Sequence, residues 1–353
     1  MDDSKTFSTS GEMDNSVPLR ITISILSATF STAYPTLLSC IMSDPEEVFI
    51  SLLAGCFAFI AIPGVNSKKK LIISCALSFP LFFIPEGYVR AFLIGIVLSY
   101  GQTAAEMHTA HLSLCAFRES ALSQLGILLT MQTCLFFFFL SFIPNFEWLC
   151  STFVFVLSLT IVEIAAVVFF VPDPPTEMIT SNNLNVLYNE VYYTLTNLFG
   201  NTPFHNFHRE YTEIVDRYNK KVVPLYLRIN AVVEKVNVSF ISAGVGGLLS
   251  TTNNNIYLVI FSCLSMFKWV FSNQHNKEYI ILSIASIALV LLAMLAYNVK
   301  PIFIILIGMS LYLVPSSDGY LKLDKYLIGI SNSIRNLLGV VIFVILWREQ
   351  IID

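Results

Sequence analysis

Long apolar runs separated by short polar segments recur along nearly the whole chain. About 20 apolar residues at helical rise are needed to cross about 30 Å of bilayer hydrocarbon. Runs of that length lie at about 20–42, 48–64, 71–89, 91–117, 120–143, 148–171, 226–249, 255–272, 279–298, 300–316 and 326–347. The pattern therefore predicts an all-α polytopic membrane protein with eleven transmembrane helices.

The apolar runs fall into two groups, six before a long polar connector and five after it. The predicted units are a cytoplasmic tail at 1–19, a six-helix bundle at 20–171, a cytoplasmic connector with an amphipathic helix at 172–225, and a C-terminal bundle at 226–353. This layout is typical of two-bundle secondary transporters of the major facilitator type. The apolar piece at 185–199 would make twelve helices, but it would move a basic cluster outside, so eleven is preferred.

Composition and charge support a membrane location. Hydrophobic residues make up 55% of the chain and charged residues 12%, whereas soluble domains carry roughly 25% charged residues. With the N-terminus inside, thirteen Lys and Arg residues fall in cytoplasmic segments and three in outer ones, as the positive-inside rule requires. We expect an integral protein of the plasma membrane with a cytoplasmic N-terminus.

A polar stripe interrupts the fourth predicted span. Gln102, Glu106, Thr109 and Ser113 follow one another at spacings of four, three and four, so they share one face of a helix. A charged group at the bilayer centre costs at least about 2.5–3.5 kcal/mol, and such groups usually face a cavity or a partner. The stripe is therefore expected to line water, with Glu106 as its central functional group.

Other predicted spans carry shorter versions of this pattern. The sets are Ser24, Ser27, Ser31 and Tyr34 on the first span, Asn230, Glu234 and Asn237 on the seventh, and Asn332, Arg335 and Asn336 on the eleventh. The alternative for each Ser, Thr or Asn is hydrogen bonding between helices. Arg335 either neutralises an acidic residue or holds an anionic substrate. Glu163, towards the inner end of the sixth span, is expected to be ion-paired or to extend towards the interface.

Nothing in the pattern indicates covalent chemistry. The seven Cys have no repeated pair spacing, and the five His do not form a metal-ligand cluster. No nucleophile and base are spaced as an active site would require. The predicted protein is not an enzyme, needs no cofactor or metal, and has no nucleic-acid partner.

Four short segments resemble the reduced folate carrier and thiamine transporter family. They are STAYPTLLSCIMSDPEE at 31–47, TAAEM at 103–107, VEKVNVSF at 233–240 and LDKYLIGISNSIRNLLGVVIFVIL at 323–346. The second is similar to a fourth-helix element of thiamine-transporting members, and the third aligns Asn237 with a binding-site Asn of the family. The resemblance implies vitamin uptake by alternating access.

On this resemblance Glu106 would accept hydrogen bonds from the aminopyrimidine ring of thiamine. Gln102, Thr109, Tyr34 and Asn237 would complete the polar lining, and Tyr100 would stack on the ring. The further candidates for the substrate site are Asn230, Glu234 and Arg335. The expected partners are a vitamin-like small molecule, the lipid bilayer and an unidentified coupling ion. The alternatives are a folate or organic-anion carrier that depends on Arg335 and Lys268, and a non-transporting receptor with the same fold.

Overall fold

The computed structural model describes residues 19–42, 44–61, 66–112, 118–143, 145–174, 177, 193–194 and 325–351. Within these ranges the regular elements are helical. The α-helices are α1 (Leu19–Phe30), α2 (Ala33–Ile41), α3 (Pro45–Ala54), α4 (Ser67–Ser78), α5 (Tyr88–Leu112), α6 (Arg118–Phe142), α7 (Phe146–Cys150), α8 (Phe153–Phe170) and α9 (Lys325–Ile351). Two 3₁₀ segments, Gly55–Ala61 and Phe79–Phe83, continue α3 and α4.

Helices occupy each of the first six predicted spans and the eleventh, although several spans are interrupted. The first consists of α1 and α2, which are bent by 47°. Among the described residues, two windows are long and apolar enough to cross a membrane as single helices, Phe153–Phe170 and Ile328–Ile345, with the bent pair as a third. Predicted spans seven to ten, the amphipathic helix and most of the 172–225 connector lie outside the described residues.

The breaks in these spans follow from local sequence. Pro35 has no N–H, and its ring opposes the carbonyl four residues earlier, which belongs to Ser31 at the junction between α1 and α2. Thr29 and Thr32 also bond back to carbonyls one turn earlier, a pattern that bends helices. Pro80 lies in the 3₁₀ segment after α4. The sequence therefore encodes bent spans.

The N-termini of α3 and α4 are capped by side chains. Asp44 accepts a hydrogen bond from the N–H of Glu46, and Asn66 accepts one from the N–H of Lys69. Such caps satisfy backbone donors that a helix leaves free at its start.

Two buried clusters hold the described helices together. One joins α1, α4, α5, α6, the end of α8 and Ile328 of α9. The other packs α2 against the 3₁₀ segment Phe79–Phe83, the first half of α5, α7 and α8. Large apolar side chains such as Phe169, 78% exposed, and Val154, 73% exposed, cover the outside of α8. A helix that is apolar on both its inner and outer faces is suited to lipid.

The last helix packs against the irregular part of the second predicted span. Asn336 of α9 donates to the carbonyl of Gly55 at 2.7 Å, and the hydroxyl of Ser333 accepts from the N–H of Phe59 at 3.0 Å. Backbone groups that leave α-helical geometry inside a membrane need partners from neighbouring helices. Polar side chains of α9 supply them here, and this fixes the register of α9 against the N-terminal half.

Candidate functional site

Glu106 lies in the second half of α5 and faces α9. Its carboxylate is nearly enclosed, since the residue is 8% exposed. The amide nitrogen of Asn332 donates to Oε2 of Glu106 at 3.0 Å and also to Oγ1 of Thr103 at 3.0 Å. The contact joins a helix of the N-terminal half to the last helix of the chain.

Arg335 provides the positive charge beside this carboxylate. Its Nη1 lies 3.9 Å from Oε1 of Glu106, and the exposed fractions are 21% for the arginine side chain and 11% for the glutamate side chain. At that distance the two groups form a loose ion pair instead of a bidentate bond, which requires shorter N–O contacts. Arg335 was predicted either to neutralise an acidic residue or to hold an anionic substrate. In the described conformation it lies beside the acidic residue Glu106.

The other predicted residues of α5 are arranged around this carboxylate with different exposures. Thr109 is fully buried, whereas Gln102 and Tyr100 are half-buried. Gln102, Glu106 and Thr109 share the predicted helix face. Ser113, the last member of the predicted stripe, lies outside the described residues, as do Asn230, Glu234 and Asn237.

Tyr34 lies elsewhere. It is fully buried in the cluster formed by α2, α7, α8 and the first half of α5, and its hydroxyl is next to the guanidinium of Arg90. From Arg90 to Glu106 the helix rises about 24 Å at 1.5 Å per residue. The structure therefore does not bring the Tyr34 hydroxyl to the Glu106 carboxylate.

Sequence reasoning did not assign two residues that contact Glu106 or its partner. In the sequence Asn332 is only a polar position three residues before Arg335, and it is not among the residues predicted for the site. Thr103 lies one turn before Glu106 and shares its hydrogen-bond donor. In both cases the available signal was helical spacing from an already selected charged residue.

Glu163 departs from its expected position. It was expected near a membrane interface as an ion-paired or extended side chain, but it lies in the middle of α8 and is 0% exposed. Its Oε1 accepts a hydrogen bond from the backbone N–H of Tyr34 at 2.8 Å. The residues that the structure describes provide no ion pair for it. The expectation was wrong because it used only the position of Glu163 along its own span.

A second polar cluster joins α4, α5 and the segment after α8. Oε1 of Glu177 lies 2.9 Å from Nδ1 of His111, and its Oε2 accepts from the N–H of Ser67 at 2.8 Å. Asn66 donates to Asp173 at 2.9 Å in the same region. Two carboxylates therefore lie at the N-terminus of α4, which is electropositive from its helix dipole and its three lysines.

The Glu177 contact predicts a specific pH dependence. Burial raises the pKa of Glu177, but the bonds from His111 and Ser67 and the charges of His111 and His108 outweigh it, so the pKa is lowered. A lowered carboxyl pKa adds stability above its usual range, and that stability is lost as the pH falls through the folded-state value. We expect Glu177→Gln to lower the unfolding free energy by about 1–3 kcal/mol at neutral pH.

This difference between wild type and Glu177→Gln should shrink as the pH falls below the usual glutamate range, since the wild-type carboxylate is then protonated. Thermal unfolding in detergent between neutral and strongly acidic pH measures it. Glu147→Gln, at an exposed carboxylate on α7, serves as the control and should show little difference at any pH. A pH-independent Glu177→Gln effect would contradict the assignment.

In the described ranges no three His, Cys, Asp or Glu side chains are grouped as metal ligands. His108 instead lies fully buried between two hydroxyls, with Oγ of Ser67 at 3.2 Å and Oγ of Ser24 at 3.5 Å. His108 of α5 thereby contacts both α4 and α1 through hydroxyl groups.

Comparisons with known proteins identify the architecture. No protein-family model matches the sequence, and no curated protein matches it significantly. The proton:xylose symporter XylE bound to 6-bromo-6-deoxy-D-glucose matches the structure with a TM-score of 0.57 and 14% identity, over 95% of this chain and 88% of that chain. The inward-open xylose transporter XylE from E. coli has a TM-score of 0.53 at 15% identity, over 92% of this chain and 88% of that chain.

The human organic anion transporter MFSD10 (TETRAN) has a TM-score of 0.52 at 9% identity, over 92% of this chain and 90% of that chain. Identities this low carry information on fold and not on substrate. The predicted relationship to folate and thiamine carriers is not among these findings and stays a prediction. The chain therefore has the same helical fold as these transporters.

Proposed function

We propose that this protein is a secondary-active transporter that imports thiamine or a closely related vitamin by alternating access. The observation that carries the proposal is the enclosed carboxylate of Glu106, which α9 holds through Asn332 and Arg335. These residues belong to the two halves that are predicted to form separate bundles. The structural likeness to transporters supports the class of function.

The proposed mechanism is an exchange of partners at Glu106. When the two halves separate, the carboxylate loses the contacts from α9. Hydrogen bonds from a ligand then become favourable, because polar groups interact strongly in a low-dielectric site. The amino group of an aminopyrimidine presents N–H donors to the carboxylate, and the neighbouring ring nitrogen also donates when it is protonated. A bond from such donors to a carboxylate is charge-assisted and is stronger than a bond between neutral groups.

Asn332 offers a second contact for the same ligand. Its Oδ1 is buried and has no hydrogen-bond partner among the described residues. A buried carbonyl oxygen of this kind can accept a hydrogen bond without first losing another. An amino group near Glu106 could therefore be shared between the carboxylate and this amide oxygen.

Substrate and α9 compete for one carboxylate in this scheme. A ligand changes a conformational equilibrium only through its different affinities for the two states. Here the difference arises because the Glu106–Asn332 and Glu106–Arg335 contacts are present in the described conformation and would be replaced on binding. The proposed substrate therefore favours the state in which the halves are apart on one side.

A second candidate is an organic anion such as folate. The side chain of Arg335 is 21% exposed and is held only loosely, at 3.9 Å from the carboxylate, so an anionic group could displace Glu106 from it. MFSD10, whose name describes an organic anion transporter, has a similar structure. This candidate assigns the principal substrate contact to Arg335 instead of Glu106.

Uptake of labelled thiamine and labelled folate in cells without their own carriers tests the proposal. We expect saturable thiamine uptake, and we expect Arg335→Gln to retain it because the variant leaves the carboxylate in place. Folate uptake that Arg335→Gln abolishes would instead establish the second candidate. Binding without accumulation above the outside concentration would indicate a non-transporting receptor.

A further inference from the structure

The junction between α1 and α2 leaves backbone groups without partners in its own helix. The bend lies at Ser31 and Thr32, and Ala33 begins α2. The first N–H groups of a helix have no acceptor one turn earlier. In the interior of a membrane protein these donors must be satisfied by neighbouring helices.

Three other helices satisfy this junction. Glu163 of α8 accepts from the N–H of Tyr34 at 2.8 Å. The side-chain amide of Gln132 on α6, oriented to match its neighbours, accepts from the N–H of Ala33 at 3.2 Å and donates to the carbonyl of Thr29 at 3.0 Å. Cys75 of α4 donates its thiol to the carbonyl of Ser31 at 3.8 Å.

Among the side chains that bond to this junction, Glu163 carries the carboxyl group, and only one of its two oxygens accepts a hydrogen bond. The residue is 0% exposed, and Oε2 has no hydrogen-bond partner among the described residues. A backbone cap requires only one acceptor oxygen, which a glutamine amide would also provide. The second oxygen is therefore not explained by the capping role.

No cation in the described part of the chain forms an ion pair with Glu163, and Lys68 of α4 contacts α8 at the carbonyl of Val168, 3.4 Å from its Nζ. The helices packed against α8 are α1, α2, α4 and α7, with the 3₁₀ segment Phe79–Phe83. The titratable groups that interact with it electrostatically are Tyr34 on α2 and Cys75 on α4. Both are neutral near pH 7 in their ordinary forms, so neither balances a negative charge.

These conditions favour the neutral acid in the described conformation. An ionised carboxylate enclosed without a cation loses its hydration with no compensating charge, and the penalty remains large after the protein relaxes. A neutral carboxylic acid in the same place carries only the smaller cost of an unfilled hydrogen bond. If α2 moved relative to α8, water could reach Oε2 and the ionised form would become favourable.

We propose that Glu163 is a proton-binding site that couples protonation to the geometry of the bent first span. In the described conformation the site holds a proton on its carboxyl group. When the junction between α1 and α2 opens to water, the O–H bond breaks, the proton passes to water and the carboxylate remains. The proposal extends the proposed transport function, because a proton bound on one side and released on the other supplies a driving gradient.

Infrared spectroscopy of the purified protein tests the site independently of any substrate. A protonated carboxyl group gives a C=O stretching band that a carboxylate lacks. We expect the spectrum of wild type minus Glu163→Gln at neutral pH to contain one such band, whereas wild type minus Glu147→Gln should contain none. Equal spectra for wild type and Glu163→Gln would overturn the proposal.

Two further measurements keep the test decisive if Glu163→Gln does not fold. Wild type labelled with carbon-13 glutamate must have an isotope-shifted acid band at neutral pH, and the absence of such a band overturns the proposal without any variant. Glu163→Asp should retain an acid band at a changed frequency, since it keeps the ionisable group. A labelled band that is unchanged in Glu163→Asp would assign the proton to another glutamate and would also overturn it.

Transport in proteoliposomes then separates this proposal from the proposed function. We expect Glu163→Gln to keep exchange of labelled for unlabelled thiamine and to lose accumulation driven by a pH gradient. If wild type transports no thiamine, the vitamin assignment fails while the infrared result still decides the proton site. Gradient-driven accumulation by Glu163→Gln equal to that of wild type would overturn the coupling role.

Discussion

Glu106→Gln is expected to weaken the apparent affinity for thiamine about tenfold to a hundredfold in uptake assays. Gln keeps the size of the side chain and can still accept the hydrogen bond from Asn332, but it removes the negative charge. A hydrogen bond to a charged group contributes about 1.5–3 kcal/mol, and about 1.4 kcal/mol corresponds to a factor of ten. The concentration dependence of initial uptake rates, with surface expression measured in parallel, provides the value.

Thr103→Val is the matched control for this result. It removes the Thr103 hydroxyl, which is the second acceptor of the Asn332 amide and lies one turn from Glu106 on the same helix. It leaves the charge intact. We expect a change of less than about threefold, since a neutral hydrogen bond contributes about 0.5–1.5 kcal/mol, part of which the Glu106 contact retains. Equal effects of both variants would contradict a direct role of the carboxylate, and unchanged uptake by Glu106→Gln would remove Glu106 from the site.

Gly95→Ala is expected to lower the unfolding free energy by about 1–3 kcal/mol, the usual consequence of adding volume to a close-packed region. A Cβ at Gly95 would overlap the backbone carbonyl oxygen of Ser51 and lie 2.8 Å from Cβ of Ala54. Both belong to α3, so relief requires α3 and α5 to move apart. Without the clash, Ala would stabilise the helix by about 1 kcal/mol relative to Gly. A loss of stability in Gly95→Ala would therefore indicate the steric clash.

Gly101→Ala adds the same methyl group to the same helix but meets different neighbours. Its Cβ would contact the Ser74 hydroxyl and lie 2.6 Å from Cγ2 of Thr32, and short side chains can rotate where a backbone carbonyl cannot. We expect Gly101→Ala to be milder and to be partly rescued by Ser74→Ala. Thermal unfolding in one detergent compares them, and a stable Gly95→Ala protein would contradict the close contact of α3 and α5.

The position of Glu106 connects these two predictions to the proposed mechanism. Close packing at Gly95 holds α5 rigidly against α3, and the second half of α5 carries the carboxylate that meets α9. A site on a helix fixed in this way is positioned more accurately than one on a loop. Movement of α9 relative to α5 would therefore change the partners of Glu106 without moving Glu106 within its own half.

Much of the site could be predicted because helical spacing is local. The intervals between Gln102, Glu106 and Thr109 place them on one face of any α-helix, and the same holds for Asn332 and Arg335. Charge within an apolar run also indicates a partner or water. In the structure the polar face of α5 packs against the polar face of α9. Glu106 and Asn332, which are 226 positions apart in the sequence, form a hydrogen bond there.

Contacts that depend on three-dimensional packing could not be derived in this way. Tyr34 followed the spacing of a polar stripe, yet the bend before it directs the residue into an apolar cluster. The prediction for Glu163 used its distance from the end of its own span. Its hydrogen bond depends instead on the position of the first N–H groups of α2. Neither outcome is encoded in the spacing within one helix.

The sequence by itself determined the helical class and the polar faces of α5 and α9, because hydropathy and helical periodicity act over one or two turns. Only the tertiary structure decided that Arg335 lies beside Glu106 and that Glu163 caps α2 instead of reaching an interface. The reason is that a buried polar group takes the partner that packing brings near it, and packing depends on the shapes of all the helices together.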